Sequence, residues 1–580
     1  MRAGRVQGSG FGVLGAFRVR GAGFRVLCTL IAAALSAAAV LTAQPLPSDQ
    51  RTPKLLVLLV VDQFRADYIE KFHQQWTLGL RRLVEDGAWF RIAEYPYYNT
   101  VTCPGHSSVS TGTIPAVHGI VLNGWFDRAA GKMVTCTEDS SVSTISYGRP
   151  VKAQGESLAR LRVPTLADEI RLQQSPAGHV IAFSLKARSA ATLGGRRPDA
   201  VAWFDDDGAW VTSTAFSPGP VPEVAEYVKR HPVEADLDKV WERALPKDKY
   251  LYEDPAVGIS SAKGGMTPSF PHALKGEAGV ADTAFYERWQ SSPYADEYLT
   301  KMAIGVAEKL QLGKSGPTNL VAISYSTLDK VGHDYGPNSH EIQDVLIRLD
   351  RTLGELFEGL DRLVGPGQYT VALTADHGVA PLPERVRQFG VDAGRVDPKS
   401  IADAVHQAVA RHLGAAPPAT YVGHVVFTDI YFQPGIYAKL RAQPAILDDV
   451  REALRSTPGV MDAFTSDQLE ANRFDDDLMG RRLARSHFRG RSGDMSFTLR
   501  PYWMIQASGT THGTGNEYDT HVPVLLMGKG ITKGEYFTPA APIDVAPTLA
   551  FLANVTLARA SGRVLTEALS PAHTVPKAAR

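Results

Sequence analysis

An uninterrupted apolar run ends in a carboxylate in the segment Lys54-Leu55-Leu56-Val57-Leu58-Leu59-Val60-Val61-Asp62. Short apolar runs of this kind are typical of a β-strand that is buried on both faces of a parallel sheet. The polar residue that follows such a strand lies at the carboxyl edge of the sheet, where α/β proteins bind their ligands. The run therefore predicts a parallel sheet and a first candidate ligand-binding residue, Asp62.

The same pattern recurs later in the chain and alternates with helical periodicity. Strand-like runs cover residues 318–325, 369–374 and 521–528, and helical periodicity covers 294–311 and 340–363. Alternation of strands with helices favours an α/β fold whose central sheet is mostly parallel.

Two stretches interrupt this alternation. Residues 205–290 are poor in apolar runs and rich in Pro, Gly and charge, so we expect a surface insertion with short helices. Residues 382–500 form a second predicted insertion, in which a strand-like segment, 423–432, precedes a helical stretch and predicts a small α+β cap. A final helix is predicted over 543–552, followed by a C-terminal tail, 556–580.

Composition and charge narrow the class of protein. The 580-residue chain is 44% hydrophobic and 21% charged, and its 61 basic residues balance 61 acidic ones. This is ordinary globular composition. Nucleic-acid-binding proteins usually present a basic face, so nucleic acid is not expected as a partner.

The N-terminus differs from the rest of the chain. Residues 1–25 contain five arginines and no acidic residue, and residues 26–43 are mostly apolar or small. This pattern predicts a secretory signal peptide, 1–43, and hence a periplasmic or secreted protein; an uncleaved membrane anchor is the alternative. No other segment is apolar enough to span a bilayer. Cys103 and Cys136 remain after the signal, and the sequence leaves their pairing open.

Thr102 is the candidate nucleophile. It lies in Tyr98-Asn99-Thr100-Val101-Thr102-Cys103-Pro104-Gly105-His106-Ser107-Ser108, after an aromatic strand-like segment and before residues 109–113, which we expect to open a helix. The free N–H groups at a helix start favour an anion such as a phosphoryl or sulfuryl group. A hydroxyl is a weak nucleophile unless its pKa is lowered, and metal coordination lowers it.

Six Asp and His side chains at strand ends or in the following loops are candidate metal ligands. Asp329 and His333 are four residues apart, so one helical turn would place both on one face. Mixed nitrogen and oxygen donors without thiolate suit Zn²⁺. Six ligands shared by two ions leave positions open for substrate and water. The six residues are Asp62, Asp329, His333, Asp376, His377 and His512.

Each candidate taken alone has a structural explanation. An Asp after a strand often caps a helix. We expect His106 and His521 to be structural, with His106 bonding to the nucleophile loop. The ordered set of six favours the functional interpretation.

With these motifs in order, the chain resembles the alkaline phosphatase superfamily. It is most similar to the secreted bacterial alkaline phosphatases of the PafA type, which have a threonine nucleophile and are related to nucleotide pyrophosphatase/phosphodiesterases. The resemblance extends over residues 53–555 and implies a catalytic domain built as a three-layer sandwich. In that family a Thr-Cys-Pro-Gly-His segment carries the nucleophile, which corresponds to Thr102. The family's phosphate-binding residues correspond to Asn123, Lys186 and Arg188.

The resemblance also implies two zinc ions. One would be held by Asp62, Asp376, His377 and Thr102, and the other by Asp329, His333 and His512.

The three phosphate-binding candidates suit a monoester dianion, which has three non-bridging oxygens. Arg188 can bind two oxygens in a fork, and Lys186 adds a point charge. Asn123 adds a neutral donor. Lys186 and Arg188 follow the apolar run 180–183, so we expect them at the same sheet edge.

We therefore expect a secreted, monomeric two-zinc phosphatase that hydrolyses small phosphate monoesters through a phosphothreonine. Thr102, held by zinc as an alkoxide, would attack phosphorus in line, and water would hydrolyse the intermediate. A phosphodiesterase or nucleotide pyrophosphatase is the first alternative, although Lys186 and Arg188 favour monoesters. A sulfatase would need a Cys-x-Pro-x-Arg segment, which is missing here. A catalytically silent binding protein on the same scaffold is the non-enzymatic alternative.

Overall fold

The apolar run after Lys54 is strand β1, Leu55–Val61, and all seven of its residues are buried. Continuous burial means that both faces of the strand are covered, as in the centre of an α/β fold. The computed structural model describes residues 52–259, 265–314, 316–414 and 421–571. The predicted signal peptide, 1–43, and the end of the predicted tail lie outside the described residues.

β1 belongs to an eleven-stranded sheet. In chain order its strands are β1 (Leu55–Val61), β2 (Ala88–Phe90), β3 (Glu138–Ser146), β4 (Gln154–Glu156), β5 (Val180–Ser184), β6 (Ala200–Phe204), β7 (Trp210–Ser213), β8 (Asn319–Tyr325), β9 (Tyr369–Thr374), β10 (Val524–Gly528) and β11 (Gly534–Tyr536). Their spatial order is β11-β2-β10-β9-β1-β8-β5-β6-β7-β3-β4.

The centre of this sheet is parallel, as predicted. β9, β1, β8, β5 and β6 are parallel neighbours. β4, β7 and β10 run opposite to the other eight strands, and they lie outside this central group. The predicted run 521–528 is therefore a strand, but it begins at Val524 and pairs antiparallel with β9.

Helices accompany the sheet. Three of them carry candidate site residues: α1 (Thr102–Thr111), α2 (Ala187–Gly194) and α3 (Thr327–Tyr335). The others outside the 382–500 segment are Asp67–Lys71, Gly79–Asp86, Pro115–His118, Leu166–Gln173, Pro222–Arg230, Thr283–Gln290, Pro293–Lys309, His340–Val364, Glu517–Thr520 and Val545–Leu552. The predicted periodic segments 294–311 and 340–363 are the helices Pro293–Lys309 and His340–Val364.

A second, smaller sheet lies within residues 382–500. Its four strands are antiparallel neighbours in the order Val422–Val426, Asp429–Phe432, Met495–Leu499, Val460–Thr465. It has its own apolar cluster, to which the helices Pro398–Leu413 and Pro444–Arg455 contribute. The remaining helices there are Pro383–Arg387, Ile436–Arg441, Ser466–Ala471 and Leu478–Ser486.

The single strand predicted over 423–432 is wrong. The segment is a hairpin, because the chain reverses at Phe427, whose φ is 54°. Three two-stranded ribbons complete the described strands: Gly124–Asp127 with Lys132–Thr135, Val240–Trp241 with His272–Ala273, and Gly394–Arg395 with Trp503–Met504.

The nucleophile segment also differs from expectation at its helix. Residues 109–113 do not open a helix; α1 begins at Thr102 and ends at Thr111, with all ten residues buried. The final helix begins at Val545, two residues later than predicted, after a 3₁₀ turn over Pro542–Asp544. No helix in the described part of the chain combines the length and the hydropathy that crossing a bilayer requires.

Candidate active site

The carboxyl ends of β9, β1 and β8 bring the predicted metal ligands together. These strands are parallel neighbours, so the residues after them meet at one edge. Asp62 follows β1, and α3, which begins after β8, supplies two ligands one helical turn apart. Asp376 and His377 follow β9, and His512 reaches the same place from a distant loop. The two residues on α3 are Asp329 and His333.

Five of the six side chains form two overlapping groups that could hold a cation. Asp329, His333 and His512 form one, and Asp62, Asp329 and His377 form the other, with ligand atoms within 4.8 Å of one another. The Oδ1 atom of Asp329 lies 3.1 Å from His333 Nε2 and 3.6 Å from His512 Nε2. His377 Nε2 lies 3.3 Å from Asp62 Oδ1. Asp329 is thus common to both groups.

Asp376 is adjacent to the second group. Its Oδ2 atom lies 3.2 Å from His377 Nε2. The division of ligands expected from the resemblance placed Asp376 beside Asp62 and His377. In the structure Asp329 is the third member of the group with Asp62 and His377, and Asp376 contacts the imidazole of His377 from outside that group.

The three histidines share one orientation. Their Nδ1 atoms lie close to backbone carbonyl oxygens: His333 to Thr510 at 2.8 Å, His377 to Gly378 at 3.0 Å, and His512 to Thr100 at 2.9 Å. A carbonyl oxygen can only accept, so Nδ1 carries the proton. In the neutral ring the lone pair is then on Nε2, which faces the cluster and is free to bind a cation.

Several ligand atoms in the cluster are buried without a hydrogen bond. Asp62 Oδ1, Asp376 Oδ2 and His377 Nε2 have no hydrogen-bond partner within the described residues. A buried polar atom without a partner costs about 1–3 kcal/mol. A divalent cation at this place would satisfy all three atoms, so the residues present fit a metal site.

Burial and crowding of charge shift the pKa values of the cluster in opposite directions. Burial, with help from Asp329 and Asp376, raises the pKa of Asp62 to about 6. Burial also opposes ionisation of Asp376, but His377 and His106 outweigh it and hold its pKa well below the ordinary value. His377 responds to the same carboxylate, since Asp376 overcomes burial and raises the pKa of His377 to about 9.

Lys186, one of the two predicted cationic phosphate-binding residues, contacts this cluster directly. Its Nζ donates to Asp62 Oδ2 at 2.6 Å and also to Asp329 Oδ2. Burial lowers the pKa of Lys186, but Asp329 and Asp62 outweigh burial and raise it, so the amine is charged. Arg188 lies two residues further, in the first turn of α2, and its buried Nε has no hydrogen-bond partner in the described chain.

α1 places Thr102 beside the cluster of candidate metal ligands. Thr102 is the first residue of the helix, but the N–H groups that follow it are engaged, because that of Cys103 donates to a side chain and that of Gly105 donates to the carbonyl of Val101. The carbonyl of Thr100 accepts from His512 Nδ1 on one side. Gly105 lies against Asp376 on the other side, where an added Cβ would be 2.3 Å from the Asp376 carbonyl oxygen. Only glycine permits this approach.

His106 strengthens the same contact. Its Nδ1 lies 2.9 Å from the carbonyl of Thr102 and 3.2 Å from Asp376 Oδ2, and its Nε2 lies 2.7 Å from Ser324 Oγ. Both ring nitrogens are occupied, so His106 supports the nucleophile loop, as predicted.

Asn123 is held next to the start of α1. Its Oδ1 accepts from the backbone N–H of Cys103 at 2.7 Å, and its carbonyl accepts from the N–H of Cys136 at 3.0 Å. A disulfide joins Cys103 to Cys136, which answers the question that the sequence left open. With Oδ1 facing the helix, the Nδ2 group of Asn123 remains available as a donor.

Gln63 is a site residue that the sequence did not reveal. Its Nε2 donates to Asp329 Oδ1 at 2.7 Å, and its backbone N–H donates to Asp376 Oδ1 at 3.1 Å. Gln63 has φ of 70°, and Gly332 leaves room for its side chain, since a Cβ there would be 1.8 Å from Gln63 Oε1. Only its position after Asp62 hinted at this role.

A family model described as type I phosphodiesterase / nucleotide pyrophosphatase matches residues 56–522. The chain belongs to this family. The chain is 31% identical over 90% of its length to alkaline phosphatase PhoV of Synechococcus elongatus, covering 94% of that protein. It is 29% identical over 89% of its length to alkaline phosphatase PafA of Elizabethkingia meningoseptica, covering 94% of that protein.

A solved structure of PafA is also similar to this family member. The two superpose with a TM-score of 0.81 and 28% identity, over 90% of this chain and 99% of PafA. The α/β fold with a large, mixed, mostly parallel sheet is therefore shared with an alkaline phosphatase.

Proposed function

We propose that this chain is a phosphatase that hydrolyses phosphate monoesters, with Thr102 as nucleophile and two zinc ions as cofactors. Similarity to several alkaline phosphatases at about 30% identity over most of the chain supports monoester hydrolysis. The observation that carries the proposal is local. Three carboxylates and three histidines with carbonyl-bonded Nδ1 atoms meet beside the helix that begins at Thr102.

The chemistry of the donors supports zinc. Carboxylate oxygens and imidazole nitrogens without a thiolate suit Zn²⁺, and two ligand groups that share Asp329 support two ions. Bound metal would supply Lewis-acid stabilisation of charge on the nucleophile and on the leaving oxygen. The proposed ligands are Asp62, Asp329, His333, Asp376, His377 and His512, with Thr102 as a further oxygen donor.

The protein's own residues then perform the following steps. The Thr102 hydroxyl gives its proton to solvent, and its oxygen attacks phosphorus while the ester P–O bond breaks and the alcohol departs with a proton from solvent. Water hydrolyses the resulting phosphothreonine, which releases phosphate and restores the hydroxyl. Asn123, Lys186 and Arg188 hold the non-bridging oxygens, where charge is concentrated in the transition state.

A second solved PafA structure supports these four assignments. It is a variant in which a threonine, an asparagine, a lysine and an arginine are replaced. The threonine and the asparagine are 21 residues apart in that protein, as Thr102 and Asn123 are here, and the lysine and arginine are two residues apart in both chains. The equal spacing supports one phosphate-binding arrangement in both proteins.

Hydrolysis of phosphodiesters is the second candidate, because the family model is described by that activity. A diester carries one negative charge and a second bulky substituent. Lys186 and Arg188 occupy the site with two cationic groups, which a dianionic monoester uses more fully.

We also propose that the protein acts in the periplasm or outside the cell. The signal-like segment 1–43 supports export. The Cys103–Cys136 disulfide is of the kind that persists in oxidising compartments.

The test combines Thr102→Ala with metal analysis. We expect Thr102→Ala to retain its metal and to lose at least about 10³-fold in kcat on a monoester, because removal of a covalent nucleophile leaves only binding and electrostatic catalysis. Thr111→Ala, at the other end of α1, is the matched control and should keep activity. Assays on a monoester, a diester and a sulfate ester would rank the three chemistries. Full activity of Thr102→Ala would refute the assignment.

A further inference from the structure

A cavity of about 500 Å³ lies beside the strand that follows Asn123, and four arginines line it. They are Arg160, Arg162, Arg489 and Arg491. Ligand pockets in proteins range from about 300 to 1,000 Å³, so the cavity is large enough for a small organic anion. It is distinct from the Asp/His cluster, none of whose residues lines it.

Three of the four arginines are not paired with a carboxylate. Within the described residues, no carboxylate oxygen lies within ion-pair distance of Arg160, Arg162 or Arg491. Arg160 donates through Nη1 to the carbonyl of Glu138, and Arg491 donates through Nη1 to the carbonyls of Gly119 and Arg160. Arg162 has no side-chain hydrogen bond there. Most of their N–H donors therefore remain unused.

The arginines also repel one another. Burial, together with the charges of Arg162 and Arg160, lowers the pKa of Arg491 to about 10. Like charges held together without counter-ions destabilise a fold, and a bound anion would relieve the repulsion.

The two acidic residues of the cavity interact with the arginines only at a distance: the charge of Asp127 acts on Arg491 and that of Arg160 acts on Asp139, but neither described pair lies within ion-pair distance. Asp127 accepts from the backbone N–H groups of Ala129 and Ala130. Asp139 accepts from the N–H and hydroxyl of Ser141 and from the hydroxyl of Ser157. Each carboxylate therefore accepts its hydrogen bonds from groups other than the arginines.

The guanidinium group of Arg491 is held in place by aromatic rings. Its Cζ lies 5.2 Å from the ring centre of Trp125 and 5.2 Å from that of Phe488. Both rings line the cavity. A stacked guanidinium is pre-organised, so it loses little side-chain entropy when it binds a ligand.

We propose that this cavity is a binding site for a phosphate-type oxyanion, separate from the proposed catalytic site. Guanidinium groups bind phosphate oxygens in bidentate pairs, and several converging arginines match a multiply charged oxyanion better than a single carboxylate. The ligand is free inorganic phosphate or a second phosphoryl group on a larger ester; both present the same oxygens to the site.

The experiment measures binding of inorganic phosphate to the metal-loaded enzyme by equilibrium dialysis. Arg162→Gln removes one cationic group from an exposed side chain that has no hydrogen-bond or ion-pair partner among the described residues, so we expect it to fold normally. We expect the wild-type cavity to bind one phosphate. In Arg162→Gln the affinity of this site for phosphate should fall about tenfold or more, because a charge-assisted contact is lost. Arg411→Gln removes an exposed charge from the helix Pro398–Leu413 and should bind like wild type.

The proposal is overturned when the binding curves of wild type and Arg162→Gln coincide, or when Arg411→Gln weakens binding equally. This criterion does not depend on the catalytic assignment, because the competitive inhibition constant of phosphate against a monoester should be unchanged in Arg162→Gln. Kinetics distinguish the two ligand sources. If Arg162→Gln raises KM for a bisphosphate ester but not for a simple monoester, the ligand is a second phosphoryl group of the substrate. If neither KM changes, the ligand is free phosphate.

Discussion

Replacement of Gly105 by alanine tests whether close packing between α1 and Asp376 sets the geometry of the site. A Cβ on Gly105 would lie 2.3 Å from the carbonyl oxygen of Asp376, 2.6 Å from its Cβ and 2.8 Å from its carbonyl carbon. Non-bonded heavy atoms pack best at about 3.5–4.0 Å, so the first turn of α1 has to retreat by about 1 Å. These are two backbone atoms and a Cβ, so no flexible side-chain end can move to absorb the strain.

The displacement should affect catalysis more than folding. Overpacking of this kind costs about 1–3 kcal/mol of stability. Thr102, three residues earlier on the same turn, moves with Gly105, whereas Asp376 is fixed by β9. A misplacement of about 1 Å can cost about 100-fold in rate, which corresponds to about 2.7 kcal/mol in the activation barrier.

The assay is kcat on a phosphate monoester, measured together with the free energy of unfolding in urea and the metal content. Gly219→Ala is the matched control, because nothing lies within 4 Å of its added Cβ. We expect Gly105→Ala to lose about 100-fold in kcat while it still folds, and Gly219→Ala to behave as wild type. Equal kcat in the two variants would refute the reasoning that α1 must touch Asp376.

Three further predictions follow from single contacts. In Gln63→Asn, asparagine tolerates the positive φ, but its shorter side chain cannot reach Asp329 in the same way. Metal affinity should therefore fall about 10- to 100-fold in a chelator competition. Unchanged affinity would contradict the orienting role of Gln63. Cys136→Ser opens a disulfide that spans 33 residues, so urea unfolding should show a loss of about 3–4 kcal/mol, and kcat should fall because Asn123 is less fixed; wild-type values in both would oppose this. Burial raises the pKa of Asp296 to about 7, so the folded state holds a proton that the unfolded chain releases, and stability should fall as pH rises from about 4 to about 7. Asp296→Asn should flatten that slope in urea unfolding at pH 5 and pH 8, whereas Asp403→Asn, an exposed residue, should not.

The sequence predicts that most of these Asp and His side chains come together, because two periodicities encode their positions. An apolar run followed by a carboxylate marks the carboxyl end of a buried strand, which places Asp62 and Asp376 at one edge once the strands are parallel. The four-residue spacing of Asp329 and His333 adds a helical face. The arrangement of these residues therefore follows from local pattern and the rule for parallel sheets.

Other features of the site depend on tertiary contacts that no local pattern encodes. Gln63 orients two carboxylates only because it adopts a left-handed conformation beside Gly332. α1 begins at Thr102, although Thr, Pro and Gly have low helix propensity, because burial of all ten residues outweighs propensity. Pro104 fits there, since residues in the first turn need no N–H acceptor within the helix. The partner of Cys103 likewise depends on where a distant hairpin packs.

Charge balance gives an independent reason to favour monoesters over diesters. The buried carboxylates of Asp62, Asp329 and Asp376 are negative, and the side chains of Lys186 and Arg188 are positive, so these groups sum to a charge of −1. Lys330 and Asp206 interact and carry opposite charges, so they do not change this sum. Histidines that bind metal must be neutral, so the two proposed divalent ions would bring the total to +3, and an ionised Thr102 would reduce it to +2. A monoester dianion neutralises that charge, whereas a diester monoanion leaves one positive charge uncompensated in a region where water is largely excluded. Because uncompensated charge is costly in such a region, the residues proposed to hold the metals would also select the charge of the substrate.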